Sequence, residues 1–189
     1  MSIAKIVSGG QTGADRGGLD AALYCDVPQG GWCPKGRKAE DGRIPVKYEL
    51  QEMGTTDYVA RTEANVVDSD ATVIFTEKGA TGGSLRTLEF CVKHRKPWHE
   101  VVLTATPREK AVKDIVAWLA GDPTLNAYED YVASPPAACV LNVAGSRESK
   151  CPGIADAVMR ILVDVLIAVN PECRGFYPLP TGERHIMRG

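Results

Sequence analysis

The residues able to do chemistry gather in loops where an apolar run breaks into glycines and restarts as a helix. The first is Ser8-Gly-Gly-Gln-Thr-Gly-Ala-Asp15. Glycine permits positive φ and close approach to the backbone, and the first N–H groups of a helix favour negative charge. Gly9, Gly10, Gln11, Thr12, Gly13 and Asp15 therefore form a candidate anion cradle, with phosphate the first ligand class to consider. The bland alternative is a tight turn, yet Ser8, Gln11, Thr12 and Asp15 crowd a turn that needs none of them. A second loop begins at Thr76 and ends in Gly82-Gly83-Ser84, and a third carries Gly145-Ser146-Arg147. On this reading a Gly10→Val change abolishes binding and leaves the fold largely intact.

Other reactive types carry less. Ser8 lacks the GxSxG turn of an α/β-hydrolase and reads as a phosphate or backbone donor. Asp15 sits in a first helical turn, where interaction with the helix dipole is a sufficient structural reason for it. His94, His99 and His185 are widely spaced, with no partner pattern for a triad or metal. The six cysteines include no CxxC pair, so zinc and iron–sulfur ligation have little support. Cys33 and Cys151 lie in Gly/Pro loops, where a thiol touches a ligand or simply fills the loop.

The elements that must position these residues follow from pattern. Ile3 to Val7 reads as a strand and Thr12 to Tyr24 as a helix. Val27 to Arg37 reads as a short strand entering a polar loop with Lys35, Arg37, Glu40, Asp41 and Arg43, either functional or a solvated insertion. Tyr48 to Met53 is expected to form a helical turn. Tyr58 to Asp68 is expected to be a helix with Val59, Ala64, Val66 and Val67 inward. Ala71–Thr76 is a second strand, followed by a helix capped by Ser84 with Leu85, Leu88 and Val92 on its apolar face. Lys96–Leu103 is a strand, and Thr106-Pro-Arg-Glu109 reads as a capping box for a helix with Ala111, Val112, Ile115, Val116 and Leu119 inward. A strand over Ala138–Val143 precedes a helix from Gly153 to Val169. That helix has so little polar surface that a tail or a second subunit is expected to cover it.

Alternating strands and helices imply an α/β fold, a single Rossmann-like domain over residues 1–169 with a mostly parallel sheet of about five strands. All three glycine loops then open at the carboxyl edge of the sheet, where such folds bind ligands. Residues 170–189 form a tail expected to pack on the domain or a partner subunit. The formal net charge of −2 and the sequence pI near 5.9 disfavour gripping nucleic acid. The first residues lead straight into a strand, and the longest apolar run is too short to span a bilayer, so a cytoplasmic protein without membrane contact is expected.

Together Ser8-Gly-Gly-Gln-Thr-Gly-Ala-Asp15, Cys33-Pro-Lys-Gly-Arg37, Ala39-Glu-Asp-Gly-Arg-Ile-Pro45, Arg61-Thr-Glu-Ala-Asn65 and Thr81-Gly-Gly-Ser84 resemble the putative molybdenum carrier family, over about residues 3–169. That family resembles molybdenum cofactor carriers and groups with Rossmann-like proteins that include the DNA-processing A and lonely-guy proteins. The resemblance implies molybdenum cofactor (molybdopterin) as ligand, with the cradle at its phosphate, Lys35, Arg37 and Arg147 at its other anionic oxygens, and the metal held by the dithiolene alone. The resemblance also implies molybdoenzymes as partners, while the apolar last helix points to a homo-oligomer, a dimer or tetramer.

The resemblance leaves a second branch open, in which the ligand is a nucleotide and the chain is a nucleotide-binding protein or a phosphoribohydrolase. Lonely-guy enzymes hydrolyse nucleoside monophosphates with an arginine before a strand and a PGGxGTxxE motif after it. Arg61 and Gly82-Gly-Ser-Leu-Arg-Thr-Leu-Glu89 are similar, without the proline and the third glycine. Arg61 and Glu89 are then catalytic, or Glu89 is a solvated helix residue. The DNA-processing branch implies single-stranded DNA binding, which the acidic balance weakens.

Overall fold

The computed structural model describes residues 1–125 and 135–173. Five strands form one parallel sheet: β1 (Ser2–Val7), β2 (Gln29–Gly30), β7 (Ala71–Thr76), β8 (Trp98–Val102) and β9 (Ala138–Gly145), in the order β2-β1-β9-β7-β8. Val7 pairs with Asn142 and Phe75 with Gly145, so β1, β9 and β7 end at one edge. Every residue of β7 is buried, as a central strand covered on both faces requires. Among the described residues no helix is long and apolar enough to cross a membrane.

Five helices cover the sheet. α1 (Ala14–Tyr24), α4 (Arg108–Leu119) and α5 (Ile154–Val169) share the main core with Ile3, Ile6, Val73, Phe75, Leu141 and Val143. α2 (Tyr58–Val67) and α3 (Gly83–Lys93) pack on the other face through Val66, Phe90 and Cys91. α1 carries Gly17 and Gly18 where it meets α5 and β9; a Cβ on Gly17 would stand 2.5 Å from the Ala155 carbonyl oxygen, and one on Gly18 would stand 2.7 Å from Val143 Cβ. These two residues let the helix lie close. The need for cover on α5 is met within the chain by α1 and α4, and of its large apolar side chains only Ile167 is exposed.

Residues 31–55 form a small insertion beside α1. It contains the strand pair β3 (Trp32–Cys33) with β6 (Gln51–Glu52) and the hairpin β4 (Lys38–Ala39) with β5 (Gly42–Arg43), over a minor core of Leu19, Cys33, Ile44, Tyr48 and Leu50. The helical turn expected over Tyr48–Met53 is instead β6, because the stretch pairs with β3.

Three other expectations change. Only Asn65 and Val66 of α2 are buried, and α3 buries Ser84, Thr87, Phe90 and Cys91. Val59, Val67, Leu85 and Val92 are exposed. Small polar residues let α3 sit close on a sheet face that itself carries Thr72 and Asn142, hydrogen-bonded at 3.2 Å. The caps differ as well: Gly82 caps α3 and Pro107 caps α4, neither with a side-chain hydrogen bond, so the Thr106–Glu109 capping box is not formed. Of the tail, residues 170–173 are described. Asn170 exchanges hydrogen bonds of 3.0 and 2.9 Å with the Ile3 backbone, which seats the end of α5 on β1. The rest of the tail lies outside the described residues.

Candidate functional site

At the carboxyl edge Ser8 is buried and its Oγ donates to the Val143 carbonyl at 2.7 Å, joining β1 to β9. It acts as a backbone donor. Three of the N–H groups after it are engaged within the protein. Gln11 N donates to Asp15 Oδ2 at 3.2 Å, Thr12 N to Gln11 Oε1 at 3.0 Å, and Ala14 N to the Ser146 carbonyl at 3.1 Å. Gly10 faces the insertion core, where a Cβ would meet Leu50 Cδ1 at 2.5 Å. At Gly13 a Cβ would meet the Ser146 carbonyl oxygen at 2.4 Å. Packing within the chain thus accounts for both glycines.

What stays open is a cavity of about 80 Å³ lined by Gln11 and Asp15 from the first loop and α1, Tyr58, Arg61 and Thr62 from α2, Gly83 and Thr87 from α3, and Ala144, Gly145 and Arg147 at the end of β9. Each wall comes from a different element meeting at the strand ends. The Arg61 side chain is 12% exposed and its Nη1 lies 3.3 Å from Asp15 Oδ2, while its Nε is buried without a hydrogen-bond partner. The guanidinium carbons of Arg61 and Arg147 each lie 5.9 Å from the centre of the Tyr58 ring. Burial pushes the Asp15 carboxyl above its usual range, and the opposing pull of Arg61 and Arg147 does not cancel it. Nearly buried Arg61 and exposed Arg147 face one small cavity and can bind an anion, which gains charge-assisted bonds from both.

A wider crevice of about 700 Å³ lies between α1, the insertion and the residues before α5, lined among others by Thr12, Arg16, Asp20, Glu40, Asp41, Lys47 and Ser149. Its charges are paired within the protein. Arg16 holds Asp41 through bonds of 2.5 and 2.7 Å, and Lys47 holds Asp20 at 2.6 Å. Glu40, at the hairpin tip, accepts from Thr12 Oγ1, from Ser149 N at 3.2 Å and from Ser149 Oγ at 2.6 Å. Although burial opposes it, these bonds hold the Glu40 carboxyl below its usual range.

The residues singled out in the sequence divide accordingly. Gln11, Asp15, Arg61, Gly83, Gly145 and Arg147 line the cavity, and Gly9 lies under the Arg61 guanidinium. Arg37 is buried and donates to the carbonyls of Ile44, Leu50, Pro45 and Tyr48 at 2.9–3.2 Å, so it organises the insertion. Lys35 is exposed and outside both linings. Thr76 Oγ1 donates to Glu100 at 2.9 Å, and Ser84 Oγ donates to the Thr81 carbonyl at 2.8 Å. Ser146 contributes its carbonyl to Ala14 N. Glu89 is exposed beside Arg86 at 3.4 Å and does not line the cavity. Sequence reasoning missed Tyr58, Thr62, Thr87 and Lys150, whose Nζ lies 3.6 Å from the Cβ position of Gly82. Tyr58 had one usable signal, an aromatic ring one helical turn before Arg61. Among the described residues no group of three or more His, Cys, Asp or Glu side chains is placed to hold a metal ion.

Residues 6–166 match the model of the Circularly permutated YpsA SLOG family. A solved structure of a putative molybdenum carrier protein from Syntrophus aciditrophicus SB is 43% identical, with a TM-score of 0.75 over 88% of this chain and 96% of that one. No curated protein matches. The resemblance carried by the glycine and Cys-Pro-Lys-Gly-Arg motifs is thereby borne out, as is the α/β fold.

Proposed function

The chain belongs to the Circularly permutated YpsA SLOG family, and from that premise we propose that it is a carrier for a small molecule with a phosphate or similar anionic tail. The observation that carries this reading is the pair of guanidiniums, Arg61 and Arg147, flanking Tyr58 over the cavity at the sheet's carboxyl edge. A cavity of about 80 Å³ suits the anionic group alone. The larger part of the ligand lies outside, over Gly82 and Gly83 beside Lys150, where the half-exposed Tyr58 offers a ring to a planar pterin or base. The similarity to a putative molybdenum carrier protein favours molybdenum cofactor as the cargo, with molybdoenzymes as recipients. Holding and releasing such a cargo needs cations and shape, not a catalytic acid.

Native mass spectrometry of gently purified protein, with molybdenum analysis of the same sample, tests the assignment. A molybdopterin-sized adduct that leaves on denaturation together with the metal supports it. A nucleotide-sized adduct, or ribose phosphate released from a nucleoside monophosphate, moves the protein to the hydrolase branch. That branch keeps Arg61 in the cavity but lacks Glu89 there.

Self-association belongs to the same proposal, through α2 and α3 rather than α5. Tyr58, Val59, Val67, Leu85 and Val92 are exposed on these two helices, whose first turns line the cavity, so a second copy on this face would shelter the cargo. Light scattering should show an oligomer in the parent chain and a monomer in Leu85→Glu.

A further inference from the structure

The cavity that would receive an anion already contains a carboxyl group. Asp15 is 5% exposed, and its Oδ2 accepts from Gln11 N at 3.2 Å and from Arg61 Nη1 at 3.3 Å. An incoming anion that takes Arg61 must occupy the same small space as this carboxylate. Like charges so close in a poorly solvated cavity cannot both persist at low cost. The ligand's charge is fixed by its chemistry, whereas the carboxylate can be protonated. We propose that Asp15 is a tethered competitor for Arg61: anion entry parts the two and transfers one proton from solvent to the Asp15 carboxyl, so binding weakens as the solution becomes more alkaline.

This rests on the anion-binding reading of the cavity. The proton joins one carboxylate oxygen, and the resulting O–H donates to the bound anion in place of the bond lost to Arg61. The charged groups facing Asp15 are Arg61 from α2 and Arg147 from the loop after β9; Tyr58 is the titratable phenol of the same lining, and α3 contributes only Gly83 and Thr87. Both cations stay charged across the neutral range, which leaves Asp15 to take up the proton. Burial already favours its neutral form. A carrier built this way loads more readily where protons are available and releases as they are withdrawn.

The test is calorimetric titration of the full chain with inorganic sulfate, whose charge is constant between about pH 6 and 9, in two buffers of different ionisation enthalpy. The expected result is uptake of about one proton per sulfate bound, with the apparent Kd rising roughly tenfold per pH unit once Asp15 is ionised in the free protein. Asp15→Asn, which keeps an oxygen for Gln11 N, should bind sulfate with no proton uptake and a flat pH profile. Sulfate binding by the parent chain with no proton uptake anywhere in that window overturns the proposal and leaves the anion site standing. An unchanged pH profile in folded Asp15→Asn also overturns it. Absence of sulfate and phosphate binding at every pH overturns the anion site itself.

Discussion

The Arg61 guanidinium lies against Gly9, so close that a Cβ there would stand 1.7 Å from its Nη1 and 2.3 Å from its Cζ. The glycine at the end of β1 is therefore a seat for a protein cation. That seat fixes where the charge of the cavity stands, because Arg61 cannot both lie there and meet a side chain at residue 9.

Gly9→Ala should evict the Arg61 guanidinium without altering any charge, since the obstructing atoms are the far end of a flexible side chain. Sulfate or nucleoside monophosphate binding should weaken roughly ten- to a hundredfold, as it should in Arg61→Ala. Calorimetry on the two variants checks this, and parent-like affinity in Gly9→Ala would show that the seat is unimportant.

Arg37→Ala leaves the carbonyls of buried Ile44, Tyr48 and Leu50 and of exposed Pro45 without their shared donor and should destabilise the insertion by about 2–4 kcal/mol. Lysine should restore little, because its ammonium cannot span the four acceptors. Gly10→Val, expected from the sequence to spare the fold, should instead lower stability, because the added atoms meet Leu50 and Ile44 at a φ of 72°. Denaturant midpoints measure both.

Glu40 gives the hairpin clasp its pH dependence. Its carboxyl titrates below the ordinary range, so the clasp is fully formed above about pH 4.3 and is lost as pH falls through the lower folded value. Amide exchange over residues 38–43 should accelerate, relative to a pH-corrected reference, only in acid. In Glu40→Gln it should be fast already at neutral pH.

Glu89→Gln should change stability by no more than about 0.5 kcal/mol and leave ligand affinity unchanged, given an exposed side chain that contacts only Arg86 among the described residues. A large loss of binding or turnover in this variant would restore the hydrolase branch.

The buried thiols should resist alkylation. Burial pushes Cys91 up to about 11 and Cys139 up to about 12, so little thiolate is present at neutral pH. Mass spectrometry after brief treatment with iodoacetamide should find both unmodified in the native protein and modified once it is unfolded.

The strand–glycine–helix units were legible because β-branched runs, glycine and helical spacing are local signals, and the parallel sheet follows from their alternation. Orientation was less legible. Apolar spacing on α2 and α3 points Val59, Leu85 and Val92 inward, but the sheet beneath selects Ser84 and Thr87, whose small side chains permit close packing. Arg37 read as a ligand for anionic oxygens because its acceptors are loop carbonyls, which residue types do not announce. The cavity residues Arg61, Asp15 and Arg147 were each visible in their motifs. That they line one cavity with Tyr58 depends on the strand order, which periodicity does not encode.

That strand order has a bearing on how the chain is made. Among the described residues β9 is the strand that joins the β2-β1 pair to the β7-β8 pair. A nascent chain that has emerged only through residue 137 holds two separate half-sheets, each with an open edge at β1 or β7 awaiting the same eight residues, Ala138–Gly145. Synthesis thus passes through a stage in which both edges can pair with other chains, and the domain closes by insertion of its late strand into the middle.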